Sequence, residues 1–265
     1  MPVPIHVHGL DGLTPLSSTD PTFDEVATPF LGRVAALGLR LKPFIVIVSN
    51  MSPQTVVSFS KTWRVTHARG QTTTFRDHAS FPHVVCGDAL ISHDLPGLAP
   101  GASRIEALGV VIHGWKDQDP YFDQFLPQFV DHNEQLMTNA TDLRIELNAA
   151  IFEDGTLVGP DDDSWLRETF SAHVEGKQFW YRGIIEALDA GRSVDEAFEP
   201  VDRFLNDWTS RLRAGEHPSF DDPRVMGKRE AAGDAKRWRR RVSDEEVPRL
   251  LRESIRLDPF VIRPR

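Results

Sequence analysis

The chain has one cysteine, Cys86, among its 265 residues. A single thiol excludes an intramolecular disulfide framework and zinc sites of the Cys₄ or Cys₂His₂ kind. Long apolar runs are also missing, since no stretch approaches the roughly 18 apolar residues of a membrane span. Residues Met1–Leu10 carry neither a basic n-region nor an apolar h-region, so a cytoplasmic location is expected, with export left open. There is no Walker A loop, no G-x-G-x-x-G after a strand and no G-x-S-x-G elbow. No cofactor is therefore expected, and an enzyme reading rests on no motif. What is present is 40% hydrophobic residues and a length suited to one large domain or a domain with an appended element.

Charge is divided unevenly. Residues 1–223 hold 17 Lys/Arg against 32 Asp/Glu, a net of −15, and residues 224–265 hold 13 against 7, a net of +6. A basic end on an acidic body suggests either an anionic partner or docking onto acidic surface of the same chain or a second copy. The docking reading is the stronger one.

Periodicity divides the chain in three. Residues 1–40 read as partly irregular, with a short edge strand at Val3–His8 and a short helical turn after Phe23. From 41 to about 160 the period is two. Phe44–Val48 is a continuous apolar run. Val57, Phe59, Trp63 and Val65 share one strand face, broken only by Lys61. Ala68–Gln71 turns the chain into Thr72–Phe75, Ile105–Ile112 reads as a strand, and Leu143–Ile151 alternates cleanly up to the hairpin signal Asp154-Gly155. After Pro160 the period becomes 3.6. Leu166, Phe170, Val174, Lys177, Tyr181 and Ile184 trace a helix face that ends at Gly191. Ser193 with Glu196 and Ser243 with Glu246 are capping boxes, and a third helix carries the basic cluster from about Arg224.

The expected fold is α+β: an antiparallel immunoglobulin-like β-sandwich over 41–160, followed by a C-terminal helical region over 161–265.

Several groups are candidates for chemistry. His6 and His8 lie on one side of a strand, a spacing that can chelate a divalent metal and that resembles the HxH pair of amidohydrolase-like barrels. The alternating βα units of such a barrel are absent from 41–160. Glu153-Asp154 and Asp161-Asp162-Asp163 gather carboxylates without the spacing of a calcium loop. Cys86 reads as a buried strand end. Phe122, Phe125 and Phe129 fall on one face of an acidic insertion and would either cover a sandwich edge or meet a partner. Arg237, Trp238, Arg240 and Arg241 could pair phosphates and stack bases, although interleaved Glu230 and Asp234 favour a solvated, internally paired helix.

Phe44–Val48, Ser49-Asn50, the Trp63 strand, Ala99-Pro100-Gly101-Ala102-Ser103 and Phe152–Asp161 together resemble uncharacterised bacterial proteins with an immunoglobulin-like sandwich followed by helices. That resemblance implies a fold and no reaction. The expected function is a non-catalytic interaction or structural protein that binds a protein partner or itself. The alternatives are a metal-dependent hydrolase using His6 and His8, and binding of an anionic polymer or nucleic acid through the basic helix.

Overall fold

The apolar run at 44–48 has no polar face to offer water, and the chain encloses it. In β3 (Ile45–Asn50), Ile45 to Val48 are fully buried. The computed structural model of the chain describes residues 3–31, 42–81, 85, 97–108, 127, 130–131, 133–214, 222–255 and 260–265. Their fold is mixed α/β, with a six-stranded, mostly antiparallel sheet, a three-stranded sheet and C-terminal helices. The described residues fall into two compact units, one within 1–79, 98–152 and 158–160, the other within 80–97, 153–157 and 161–265.

The centre of the large sheet is the antiparallel pair β4 (Val56–His67) and β7 (Ala140–Phe152), which runs from Val56 opposite Phe152 to His67 opposite Ala140 with register shifts at Val56/Ser58, Ser60/Lys61 and Thr66/His67. Alternation puts Val57, Phe59, Trp63 and Val65 fully inside. A turn at Gly70 leads into β5 (Thr72–Ser80), and β1 (Ile5–His8) lies parallel to β7. Beyond Asp154-Gly155 the chain returns as β8 (Thr156–Val158), and β9 (Arg263–Pro264) joins it in parallel. Gly155 has φ 85°, and a Cβ there would also collide with the carbonyl oxygen of Val261. The two parallel pairings bring in β1 and β9, strands outside the 41–160 span for which an antiparallel sandwich is expected. Alternation within a strand specifies which face is buried, and leaves the direction of the neighbour open.

β2 (Leu13–Ser17), β3 and β6 (Ser103–Ala107) form the small sheet. On one of its faces Ile45, Ile47, Ile105 and Ala107 pack against Phe23 and Ala27 of α1 (Phe23–Leu31). The alternating residues Arg104 and Glu106 point the other way, and Glu106 Oε2 meets Lys61 Nζ of β4 at 2.7 Å. Asp77 of β5 lies 3.1 Å from the same ammonium, and Arg104 pairs with Glu106. The two sheets of this unit are thus joined through a buried ionic cluster. Burial disfavours the charge on Lys61, but Glu106 and Asp77 outweigh it and raise its pKa. Burial likewise opposes the Glu106 carboxylate, yet Lys61 and Arg104 bring its pKa down to about 2.

The helical unit holds α2 (Trp165–Asp189), α3 (Val194–Arg213), α4 (Pro223–Arg239) and α5 (Val247–Ser254). Their core is Trp180, Tyr181, Ile184, Phe198, Val201, Trp238, Val247 and Leu251, with the small residues Ala231, Ala232 and Ala235. Small residues let α2 and α4 approach closely: a Cβ on Gly227 would collide with the backbone of Ala172 and His173. The Asp161 carboxylate accepts from the backbone N–H groups of Leu166 and Arg167 at 2.8 and 3.2 Å, capping α2 across the intervening turn. Ser193 and Glu196 form the expected capping box at α3. No helix among the described residues is long and apolar enough to cross a membrane.

Candidate functional site

α2 uses more than one face. The stripe through Phe170, Tyr181 and Ile184 enters the core. A second stripe, Ser171, Val174, Gln178, Arg182 and Glu186, borders a cleft of about 840 Å³ whose far wall is Ala197, Pro200 and Val201 of α3. Val85 and Phe260 also line it, and Phe260 packs edge-on against Phe170 at 5.5 Å between ring centres. The size falls in the range of about 300–1,000 Å³ seen for small-molecule sites. Gly183 sits on this wall, and a Cβ there would meet nothing within 4 Å. The Gln178 side-chain amide donates to the Ser254 carbonyl at 3.5 Å, while its own oxygen Oε1 is buried and has no donor among the described residues. A buried acceptor of this kind costs about 1–3 kcal/mol until something donates to it.

Trp180 forms the cleft's base and also belongs to an aromatic box. Lys228 of α4 extends its ammonium to 4.2 Å from the centre of the Phe179 ring, 5.4 Å from Trp180 and 5.7 Å from Phe204 of α3. The rings stand at steep angles, 76° between Phe179 and Trp180 and 54° between Trp180 and Phe204, so they wall a space instead of stacking. The Trp180 indole N–H donates to the Lys228 carbonyl at 3.1 Å, which fixes the central wall.

A third group lies between α2 and α4. Lys177 is fully buried, His173 nearly so, and Asp234 accompanies both. His173 Nε2 is 3.1 Å from Asp234 Oδ2, and His173 Nδ1 is 3.1 Å from Glu230 Oε2. Lys177 Nζ lies 3.6 Å from Asp234, and Arg237 pairs with the other Asp234 oxygen. Burial opposes the charge on His173, but the two carboxylates outweigh it and raise its pKa. Asp234 is held well below the ordinary carboxylate range, because Lys177 and His173 overcome its own desolvation. This cluster is interior to the helix packing and is structural by position.

The residues singled out from sequence are scattered. His6 Nε2 lies 3.2 Å from Asp142, which also takes Arg144 Nε at 2.9 Å, and His8 is exposed opposite Glu146. Among the described residues no group of three or more His, Cys, Asp or Glu is placed to hold a metal. Phe122, Phe125, Phe129 and Cys86 lie outside the described residues. Trp238, read as a base-stacking residue, is 1% exposed and stacks on Phe198 in the core. Its helical position turns it inward, so it is not presented to a partner. Arg237 is paired with Asp234, while Arg240 and Arg241 are exposed. Other members of the basic cluster reach acidic residues of the same unit: Lys236 to Asp202 at 2.5 Å, Arg239 to Asp195 at 3.1 Å, and Arg252 to Asp189.

The cleft and the box went unread in the sequence. Gly183 inside a helix, and Phe179 and Trp180 lying off the counted stripe, were the available signals. No family model matches the chain, and the searches of curated proteins and solved structures likewise return no match.

Proposed function

We propose that this chain is a non-catalytic binding protein whose helical unit takes a small, mainly apolar molecule bearing a hydrogen-bond donor. The observation that carries this reading is the cleft between α2 and α3, with Gln178 on its wall and its Oε1 lacking a donor among the described residues. Val174, Ile184, Val201 and Phe260 would receive the apolar body, and Gln178 would orient it. Glu175, Arg182 and Glu186 supply a polar rim. The β4–β5 hairpin and the buried Trp63 support reading the other unit as a sandwich of immunoglobulin-like kind, a statement of fold alone.

Gly183 gives a direct test, because its open surroundings accept a side chain that would fill the cleft. Titration with the apolar dye anilinonaphthalene sulfonate should show saturable one-to-one binding to the wild type. Gly183→Phe should weaken it at least tenfold with a melting temperature no lower than that of the wild type. Equal affinity in Gly183→Phe, or no saturable binding to the folded wild type, would remove the proposal.

A further inference from the structure

We infer that the Phe179–Trp180–Phe204 box is a binding site for a compact organic cation, a methylated or quaternary ammonium group, and that Lys228 is its built-in competitor. The rings already hold a positive nitrogen at 4.2 to 5.7 Å from their centres, within the roughly 6 Å over which a ring face attracts a cation. The occupant is imperfect. A lysine ammonium carries three N–H donors, and ring faces are poor acceptors for them. Among the described residues no ion pair or hydrogen-bond acceptor reaches Lys228 Nζ, as Asp234 reaches Lys177. A methylated ammonium keeps the charge and has fewer donors to satisfy, or none, so the box suits it better than the residue now inside.

Space and charge for the rest of such a ligand lie next to the box. A second depression of about 380 Å³ is lined by Trp180 and Phe204 together with Pro200, Arg203 and Asp207. Arg203 is paired with Glu199 at 2.6 Å, and among the described residues no ion pair takes up the Asp207 carboxylate, which favours a cation there. Phe179 is 55% exposed although it is a large apolar side chain, so the third wall faces solvent and gives a ligand entry. The box cannot hold two positive nitrogens at this separation, because like charges repel strongly beside apolar walls. A ligand must therefore displace the Lys228 side chain. This site adjoins the Gln178 cleft and shares the Phe179, Trp180 and Pro200 walls with it, while Phe204, Arg203 and Asp207 line the second depression alone.

The test is calorimetric titration with tetramethylammonium chloride against ammonium chloride at equal ionic strength. Lys228→Ala should bind tetramethylammonium at least tenfold more tightly than the wild type, and should prefer it to ammonium. Lys228→Met, which keeps most of the apolar stem on the helix surface, should behave in the same way and guards against a folding defect of the alanine variant. Adding Phe179→Ala, a change at an exposed position, should cancel the gain. Binding no tighter in either Lys228 variant than in the wild type would overturn the inference. So would equal affinity for ammonium, or full affinity retained without Phe179.

Discussion

The two units each bury a lysine that interrupts an apolar stripe, Lys61 on β4 and Lys177 on α2, and they neutralise it with different chemistry. In the β unit the partners are Glu106, Asp77 and Arg104, contributed by two sheets. Every member has an ordinary pKa far from neutrality, and the cluster moves Lys61 up and Glu106 down, still further away. In the helical unit the partners include His173, the side chain whose ordinary pKa lies closest to neutral pH. Equal burial thus gives an ionic strut indifferent to pH near neutrality in one unit and a pH-responsive one in the other. A buried ion pair is weak grounds for net stability, but breaking one member leaves an uncompensated charge.

The largest effect should follow that break. Glu106→Gln removes the carboxylate facing both Lys61 and Arg104 and should cost about 3–5 kcal/mol, read by urea unfolding of the β unit. Acid should imitate it. Glu106 has a folded pKa of about 2 against an ordinary 4.5, so its contribution is complete above about 4.5 and lost as pH falls towards 2. A loss below about 1 kcal/mol in Glu106→Gln, the level of an exposed pair, would show that the strut is not isolated from water.

His173 should give a smaller effect with the opposite pH sense. Its folded pKa is raised, so its contribution is complete below about pH 6.5, the ordinary imidazole value, and is lost as pH rises through the folded value. Asp234, Glu230 and Lys177 are the charged groups facing it. His173→Gln should cost about 1.5–3 kcal/mol at pH 6, the scale of a hydrogen bond to a charged group, and less in alkali. Unfolding of the helical unit followed from pH 6 to 9 should lose its downward slope in this variant, while the β unit stays flat. An unchanged slope would remove His173 as its source.

The strand and helix patterns were legible because burial imposes period two or 3.6 on residues close in sequence. The Trp63 strand, the Asp154-Gly155 hairpin and the Ser193 capping box all sit where their patterns place them. Lys61 and Lys177 were both visible in the sequence, Lys61 as the one break in its apolar row and Lys177 as a member of the α2 stripe. Their partners were not, since Glu106 is 45 residues from Lys61 and Asp234 is 61 residues from His173, and no local pattern spans such distances. α2 is capped by the Asp161 carboxylate and not by the Ser164 hydroxyl, because a tight turn carries that carboxylate over the helix start. Docking of the basic segment was foreseeable from charge, and Lys236, Arg239 and Arg252 do meet aspartates. The cleft was hidden for another reason: concavity arises between helices, whereas a stripe describes one helix alone.

The smallest effect sharpens the contrast within α2 itself. Gly176 and Gly183 lie two turns apart on this helix, and an average propensity treats them alike: an alanine gains about 1 kcal/mol at either. Packing separates them. A Cβ at Gly176 comes within 3.0 Å of the Ala231 Cβ, the Gly227 carbonyl oxygen and the Lys228 Cα, so α4 would have to move. At Gly183 it meets open space. Gly183→Ala should therefore raise stability by about 0.5–1 kcal/mol, seen as a higher melting temperature, whereas Gly176→Ala should lower it by about 1–3 kcal/mol. The sign of the difference is decisive. If both alanines stabilise, the close approach of α2 and α4 is not enforced, and the buried His173 cluster between them loses its rigid frame. If neither does, the Gly183 face is covered in solution, and the cleft is not open to a ligand.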